Sequence, residues 1–531
     1  MRHSDRPRAH TPTLRALLPV AVVGVVAGWA PSAAAQALSG DQLPVRDVTL
    51  DNGLRLLVLP RHAAPTVSFV VRYEVGGVNE HLGNTGIAHL LEHLMFKGTT
   101  TIGTRNLAEE RRLFRRMDAL QDTLILRRAE TRTDSAAIGA LARRIHELED
   151  SARAWVESNE FDRILTRNGA RSLNATTTND ATTYFVELPA NRIQLWFVLE
   201  ADRMVHPVFR EFYTERDVVM EERRTRVETS PGGLLNEVHL AHAFTMHPYG
   251  VPVAGYMSDL AFLTRHQVRD YYRRYYGPNN ATVAIVGDVD PDRVVELARR
   301  YLGPVPRGDE PDPVLAVEPP QLGERRVEVT FDAEPRLKVG WHVPDAFHPD
   351  AAALSVASAL LTGGRTSRLY RRLVLEERLV TSVSSVMGPG ERFPRLFQVD
   401  AVPRSPHTPA EVEAAIYDEL ARLGSEPPED AELERVRNQV EAGAVRRLTS
   451  NLGLAFQLAA SASLWGDWRT TFELTRRFEE VTPEDVSRVI RAYLTSRNRT
   501  VAVLHRAEGA TTEAVGGTGS SGGPTGAGGG G

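Results

Sequence analysis

The spacing of hydrophobic residues along the chain changes between the two-residue period of strands and the 3.6-residue period of helices. Apolar or alternating runs at 54–59, 66–75 and 281–287 predict strands. A Pro- and Gly-rich stretch at 303–323 has the composition of a linker, and the strand pattern restarts at Arg326. The pattern therefore predicts two successive α/β units.

An internal repeat supports this division. Residues 264–284 align with 482–502 without a gap, with eight identities in 21 positions. The matching residues are Thr264, Val268, Arg273, Tyr275, Asn280, Thr282, Val283 and Ala284 with Thr482, Val486, Arg491, Tyr493, Asn498, Thr500, Val501 and Ala502. Each segment predicts an N-capping Thr, an amphipathic helix, a short turn and a buried strand. Any helix–turn–strand pair shares some residues, but this match favours a duplicated α/β domain.

Residues 107–165 interrupt the first unit with a densely charged segment that keeps helical spacing. Its apolar positions are Leu113, Met117, Leu120, Leu124, Ile138, Leu141, Ile145 and Leu148. This spacing predicts an inserted hairpin of two amphipathic helices. The alternative is a solvated surface arm.

The two ends of the chain differ in composition from the rest. Basic residues precede an apolar run from Ala16 to Ala30, and small residues continue to Ala37, which predicts a signal peptide over 1–37. A membrane anchor is the alternative, but the run is short for a span of roughly 20 residues. The Gly- and Ser-rich residues 508–531 predict a disordered tail. We therefore expect a periplasmic or secreted protein that is free of the membrane after signal cleavage.

Charge and cysteine content narrow the chemistry. A net charge of -5 over 531 residues gives no reason to expect a nucleic-acid partner. The chain contains no cysteine, which excludes disulfides and thiolate ligands. Any bound metal must therefore be held by histidines and carboxylates.

The most informative segment is a predicted helix within residues 85–98. One face is apolar and consists of Ile87, Leu90, Leu91, Leu94 and Met95. His89 and His93 lie on the opposite side, one turn apart, so both can reach a single ion. Glu92 lies beside them, where it can take a proton from an attacking water. Neutral imidazoles with a carboxylate suit zinc, although a polar helix face can carry this H-x-x-E-H pattern by chance.

A second predicted helix offers a third metal ligand. Glu215, Val218, Val219 and Glu222 have the spacing of a single helix face. Two carboxylates flanking valines on a buried face are costly unless a cation meets them, and a metal ion would do so. The alternative is a surface helix whose arginines pair with these acids.

Together these motifs resemble the pitrilysin/insulinase family of zinc peptidases, which includes the mitochondrial processing peptidases. The resemblance is carried by the segments 89–98, 174–184, 215–222, 247–250 and 280–288. It implies an α+β fold of two homologous α/β sandwich domains that enclose a chamber, with the helical hairpin as an insertion. The zinc-binding domain would span 43–305, and a linker at 306–323 would lead to the homologous domain at 324–507.

The resemblance also implies the roles of individual residues. One zinc ion per chain would be held by His89, His93 and Glu222. Glu92 would be the general base, and Glu215 would be a supporting acid.

The substrate would be held on a strand that includes Asn174, Ala175 and Thr176. Main-chain pairing of this kind recognises an extended peptide more than its side chains. The second half departs from the family pattern, because Val374 and Thr381 occupy the places of an Arg and a Tyr that complete the site.

The expected function is therefore an exported zinc metalloendopeptidase that hydrolyses peptides or unfolded protein segments. The missing Arg/Tyr pair predicts that a homologous partner subunit, or a second copy of the chain, completes the site. A non-catalytic structural or assembly subunit on the same fold is the alternative.

Overall fold

The computed structural model of the protein describes residues 43–131 and 134–507. The predicted signal peptide and the Gly/Ser-rich tail lie outside these ranges. The strands of the described chain are β1 Arg46–Thr49, β2 Arg55–Pro60, β3 Thr66–Tyr73, β4 Arg171–Thr177, β5 Thr182–Pro189, β6 Ala281–Gly287, β7 Arg325–Phe331, β8 Arg336–Val343, β9 Val380–Gly388, β10 Arg395–Pro403 and β11 Arg499–Arg506.

Helices connect and cover these strands. They are α1 Ile87–Leu94, α2 Leu107–Arg128, α3 Ser135–Arg153, α4 Glu160–Arg167, α5 Ile193–Val205, α6 Phe212–Arg223, α7 Pro231–Ala243, α8 Met257–Leu260, α9 Arg265–Tyr275, α10 Pro291–Tyr301, α11 Ala351–Thr362, α12 Pro409–Ser425, α13 Asp430–Thr449, α14 Asn451–Trp465, α15 Thr470–Glu479 and α16 Pro483–Tyr493. Two π-helical turns, Arg224–Glu228 and Tyr370–Glu376, accompany them.

The strands form two sheets of equivalent topology. The first is six-stranded in the order β1-β2-β6-β3-β5-β4, and the second is five-stranded in the order β7-β11-β8-β10-β9. Each contains one parallel pair, β2 with β6 and β7 with β11, and its remaining pairings are antiparallel. Only β1 has no counterpart within the described residues. The expected α+β fold of two homologous domains is confirmed.

The internal repeat corresponds to equivalent elements of these domains. Thr264 and Thr482 cap α9 and α16, each within a reciprocal capping box. Both helices have 11 residues, and each is followed by a three-residue 3₁₀ turn before β6 or β11 begins. The repeated segment therefore builds an equivalent helix, turn and inner strand in each half.

Each half supplies a helix that covers the sheet of the other half. Helix α14 packs on β3 and β6, where Leu454 and Leu458 bury Leu57, Val70 and Val286. In return, α7 packs on β7, β8 and β11 of the second sheet. We call α7 and α14 the exchanged helices. Because both bury apolar side chains, they join the two domains into one hydrophobic structure.

The charged insertion is a helical hairpin of α2 and α3, as its spacing predicts. The two helices pack on each other and on the first domain. The buried members of the predicted apolar set are Leu113, Met117, Leu124, Ile145 and Leu148, and the others are partly buried. The hairpin therefore rests on the core and is not a solvated arm.

The linker has no helix or strand between α10 and β7, but it is held in place. The carboxylate of Glu318 accepts backbone N–H bonds from Thr245, Met246 and His247 at 2.9–3.1 Å. None of the helices in the described ranges is both long and apolar enough to cross a membrane.

Candidate metal centre

Helix α1 is fixed at both its start and its apolar face. Its N-cap Gly86 has φ +84°, and a Cβ there would lie 2.7 Å from Leu260 and 2.9 Å from the Ala254 carbonyl oxygen. The buried carboxylate of Glu80 accepts the N–H of Gly86 at 2.7 Å and of Ala88 at 2.8 Å. The predicted apolar face, Ile87, Leu90, Leu91, Leu94 and Met95, is buried. This packing turns the side chains of His89 and His93 towards α6.

Helix α6 presents its two glutamates to α1. Glu215 and Val219 are buried, and Glu222 is half-buried. The prediction that Val218 shares this buried face is wrong, because its side chain is 44% exposed. At 100° per residue, Val218 is rotated about 60° from Glu215, whereas Glu222 is rotated by only about 20°. The contact with α1 therefore covers a stripe that excludes Val218.

His89, His93 and Glu222 converge on one point. Oε2 of Glu222 lies 3.6 Å from Nε2 of His89 and 3.5 Å from Nε2 of His93. One ligand atom from each residue lies within 4.8 Å of the others, and this is the only such group among the described residues. The two rings are perpendicular, with centroids 5.0 Å apart.

These separations suit a shared metal ion better than direct hydrogen bonds. Nitrogen–oxygen hydrogen bonds fall at about 2.7–3.2 Å, so 3.5–3.6 Å is too long. Two ligand atoms on tetrahedral arms of about 2.05 Å are about 3.4 Å apart. Two imidazoles with one carboxylate form a ligand set typical of catalytic zinc and leave the fourth position open. The residues present therefore fit zinc.

The electrostatic surroundings of His89 and His93 affect how readily each ring takes the neutral form that binds a metal. Burial, and then the neighbouring His93, lower the pKa of His89, which favours the neutral ring that binds metals. Burial acts in the same direction on His93, but the hydrogen bond to Glu215 and the charges of Glu215, Glu222 and Glu92 together outweigh it, so the pKa of His93 is raised. The pKa values of the two histidines are therefore shifted in opposite directions.

Glu215 supports the centre from outside the ligand group. Its Oε2 lies 3.4 Å from Nδ1 of His93, and its Oε1 lies 2.6 Å from Nζ of Lys97. Burial opposes ionisation, but the bonds to His93 and Lys97 prevail and lower the pKa of Glu215. A carboxylate on the second ring nitrogen fixes the orientation and tautomer of a ligating histidine. Glu215 is therefore placed to orient His93.

Glu92 lies beside the histidines and is held by a hydroxyl. Oγ1 of Thr177 donates to Oε2 of Glu92 at 2.5 Å. Burial raises the pKa of Glu92, although the bond from Thr177 acts in the opposite direction. A carboxylate with a raised pKa, held beside a metal-ligand group, is suited to proton transfer.

Sequence reasoning missed two residues that contact the centre. Thr177 binds Glu92, and Lys97 binds Glu215. Arg226 pairs with Oε1 of Glu222, as the surface-helix alternative expected for the arginines of this segment. Lys97 follows the zinc motif by four residues, and Thr177 directly follows the predicted substrate segment. Neither position carries a pattern of its own that predicts a role.

The predicted substrate residues lie on β4, the edge strand of the first sheet. Asn174 and Thr176 are exposed, and Ala175 is buried. The side-chain Oδ1 of Asn174 accepts the N–H of Ala175 at 2.8 Å. The segment 174–184, which carries part of the family resemblance, is not one strand: β4 ends at Thr177, a turn follows, and β5 begins at Thr182 inside the sheet.

The second half contributes no contact to this centre among those described. Val374 is half-buried in a π-helical turn, and Thr381 lies on the edge strand β9, where its hydroxyl donates to the Val402 carbonyl oxygen. Every hydrogen bond and ion pair described for His89, Glu92, His93, Glu215 and Glu222 comes from the first half.

Comparison with known families identifies both halves. Residues 56–113 and 151–256 match the family model described as Insulinase (Peptidase family M16). Residues 263–440 match the model described as Peptidase M16 inactive domain. The five residues of the centre all fall in the first match, whereas most of the helical hairpin, residues 114–150, falls in neither.

Similar proteins span most of the chain. The zinc protease PqqE of Helicobacter pylori is 29% identical over 467 residues, which are 86% of this chain and 92% of that protein. A probable mitochondrial-processing peptidase subunit beta of Arabidopsis thaliana is 23% identical over 86% of this chain and 78% of its own length. The crystal structure of a protease from Helicobacter pylori matches with a TM-score of 0.73 and 27% identity, covering 87% of this chain and all of that one.

Both halves of the chain thus match M16 domains, its relatives are named zinc proteases, and its fold is that of a solved member. The chain belongs to the insulinase (M16) family of peptidases, which is the pitrilysin family.

Proposed function

We propose that this protein is a zinc metalloendopeptidase whose metal is held by His89, His93 and Glu222. The observation that carries the proposal is the convergence of two imidazole nitrogens on one carboxylate oxygen at 3.5–3.6 Å. Relatives named zinc proteases support the choice of metal and the reaction class.

The residues of the centre have separate roles in the proposed reaction. A zinc ion in this place would supply a Lewis acid for the scissile carbonyl and would lower the pKa of a water molecule. Glu92 takes a proton from water and returns it to the leaving amine, with Thr177 holding its carboxylate in position. Glu215 keeps the ring of His93 oriented, and Lys97 neutralises Glu215.

The substrate is an extended peptide or an unfolded protein segment. Thr177, the last residue of edge strand β4, contacts Glu92. A strand added to β4 therefore passes close to the centre. Edge-strand pairing supplies main-chain hydrogen bonds that need no particular side chain. The N–H of Ala175, now bonded to the Asn174 side chain, is available to such a peptide once that side chain rotates away.

The protein is exported, and a partner completes its site. The basic, apolar and small-residue segments within 1–37 support export to the periplasm or beyond. Val374 and Thr381 offer neither a guanidinium nor a phenol for the developing oxyanion. A homologous subunit or a second copy of the chain therefore supplies that stabilisation.

A structural or assembly subunit without catalysis is the second candidate. The match of residues 263–440 to an M16 inactive domain favours it for the second half alone. The first half retains the three ligands, the general base and the supporting acid in one cluster. A purely structural subunit has no use for that set, so we prefer the peptidase.

The test quantifies bound zinc and cleavage of a mixed peptide pool by the mature chain. Glu92→Gln should retain one zinc per chain and lose about 10²- to 10⁴-fold in cleavage rate, because only proton transfer is removed. Glu222→Gln should lose zinc as well. The matched control is Glu221→Gln, since Glu221 is the exposed neighbour of Glu222 and pairs with Arg224.

The outcomes separate the parts of the proposal. Absence of zinc from the wild-type chain under saturating conditions would refute the metal site. Bound zinc with negligible cleavage would support the need for a partner, which size-exclusion chromatography and mixing with homologous subunits would then seek. Full cleavage by the monomeric chain would refute the partner.

A further inference from the structure

Helix α6, which carries two acids of the metal centre, has no cap of its own. Its N-cap residue Glu211 is left-handed, with φ +54°, and makes no side-chain bond to the first turn. The first intrahelical bond runs from the N–H of Glu215 to the carbonyl of Glu211. The preceding N–H groups therefore need acceptors from elsewhere.

The helical hairpin supplies one of these acceptors. Oε1 of Glu149, on α3, accepts the N–H of Thr214 at 2.9 Å. Thr214 is the third residue of α6, the position that an N-cap side chain ordinarily serves. Glu149 is only 4% exposed, so its charge is placed in the interior at the positive end of this helix. A buried carboxylate in this arrangement forms a charge-assisted hydrogen bond.

Further contacts tie the hairpin to the same turn. Oδ1 of Asp118, on α2, accepts from the hydroxyl of Tyr213 at 3.3 Å and from Arg265 at 2.6 Å. Arg153, at the end of α3, donates to the hydroxyl of Thr214 at 3.3 Å. Both hairpin helices thus contact the first turn of α6.

This turn directly precedes the acids of the centre. Glu215 follows Thr214, and Glu222 lies two turns further along the same helix. The family match omits residues 114–150, which include both Asp118 and Glu149. The cap therefore comes from a segment that is additional to the matched family pattern.

We propose that the helical hairpin is a positioning element for the metal centre, in which Glu149 of α3 replaces the missing N-cap side chain of α6. By fixing the first turn of α6, Glu149 sets the position of Glu215 against His93 and of Glu222 against both histidines. The part of this inference that concerns zinc rests on the proposed function, whereas the capping itself does not.

The test compares three variants of the full mature chain. Glu149→Ala removes the acceptor, and Glu149→Gln retains one carbonyl oxygen and should restore part of the effect. Glu147→Ala is the matched control, because Glu147 lies on the same helix, is exposed, and pairs only with Arg144 among the contacts described.

The first measurement is amide hydrogen exchange in zinc-free protein, which does not depend on activity. Peptides covering residues 212–216 should exchange about tenfold faster in Glu149→Ala than in wild type, with Glu149→Gln between them and Glu147→Ala unchanged. The second is zinc affinity by competition with a chromophoric chelator, which should fall by about 10- to 100-fold in Glu149→Ala.

Each outcome decides a separate point. Unchanged exchange over 212–216 in Glu149→Ala would overturn the cap. Faster exchange with unchanged zinc affinity would overturn the positioning role while leaving the cap. If no variant and not even wild type binds zinc, the proposed function fails and exchange alone still decides the cap. If Glu149→Ala does not fold, Glu149→Met decides, because it removes the acceptor but keeps a side chain of similar size; wild-type exchange over 212–216 in that variant would overturn the cap, and wild-type zinc affinity would overturn the positioning role.

Discussion

His239 allows a direct measurement of how acid affects the contact between the two halves. This residue lies on exchanged helix α7 and is fully buried against the second sheet. Its Nε2 lies 3.2 Å from the carbonyl oxygen of Thr500 on β11. The ring lies over Gly340 of β8, where a Cβ would be only 2.5 Å from Cε1 of His239. Any side chain at position 340 would therefore clash with the ring.

Burial, followed by the charge of Lys338, lowers the pKa of His239 to about 3. An exposed histidine in the unfolded chain titrates at about 6.5. Between these values the unfolded state binds a proton that the folded state does not, so stability is full above about pH 6.5 and falls as the pH falls. At pH 5 the loss is about 2 kcal/mol, since each pKa unit corresponds to about 1.4 kcal/mol.

The perturbation is His239→Gln, whose amide can still donate to the Thr500 carbonyl but does not titrate. Urea unfolding of zinc-free wild type and variant would be followed at several values between pH 7.5 and 5. The stability difference should shift by about 2 kcal/mol in favour of the variant as the pH falls. The matched control is His266→Gln, because His266 is an exposed histidine that gives up little solvent on folding.

A constant difference between wild type and His239→Gln across this range, within about 0.5 kcal/mol, would refute the reasoning. It would mean that the buried ring accepts its proton at no cost, and hence that water or a counter-charge reaches the space between α7 and the second sheet. A shift of equal size in His266→Gln would assign the effect to the loss of any imidazole.

Two further substitutions test the packing around the centre and between the halves. Arg210 is buried, pairs with buried Glu110 and donates to three carbonyls in the loop after α1. Arg210→Met should therefore lower the free energy of unfolding by about 3–5 kcal/mol. A free energy from thermal unfolding within about 1 kcal/mol of wild type would contradict this. Leu458→Ala on α14 should cost about 2–5 kcal/mol by opening a cavity against the first sheet, and unfolding probed separately in each half should show that both are destabilised.

Local patterns in the sequence predict much of helix α1 and its part of the metal centre. The apolar face from Ile87 to Met95 specifies both a helix and the side on which His89 and His93 lie, because it depends only on the helical period. The meeting of these histidines with Glu222 depends on packing between segments more than 120 residues apart, which spacing does not encode. Resemblance to a family supplied that pairing, and the structure brings the three residues together.

Other features depend on tertiary contacts that no periodicity reports. Val218 has the correct spacing for the face of Glu222, yet a 60° rotation is enough to expose it. Thr177 and Glu149 act through single hydrogen bonds to atoms far away in the sequence. The exchange of α7 and α14 was also not predicted, since an apolar helix face does not specify which of two similar sheets it covers.

The exchanged helices change the meaning of the internal duplication. Two copies of one ancestral unit would ordinarily be two independent domains, each able to fold alone. Here either copy in isolation would expose one face of its sheet to solvent, because the helix that covers this face belongs to the other copy. The predicted linker at 306–323 joins the two copies covalently, which keeps them at high effective concentration. Because each copy covers a sheet of the other, a substitution that loosens either exchanged helix is felt in both copies.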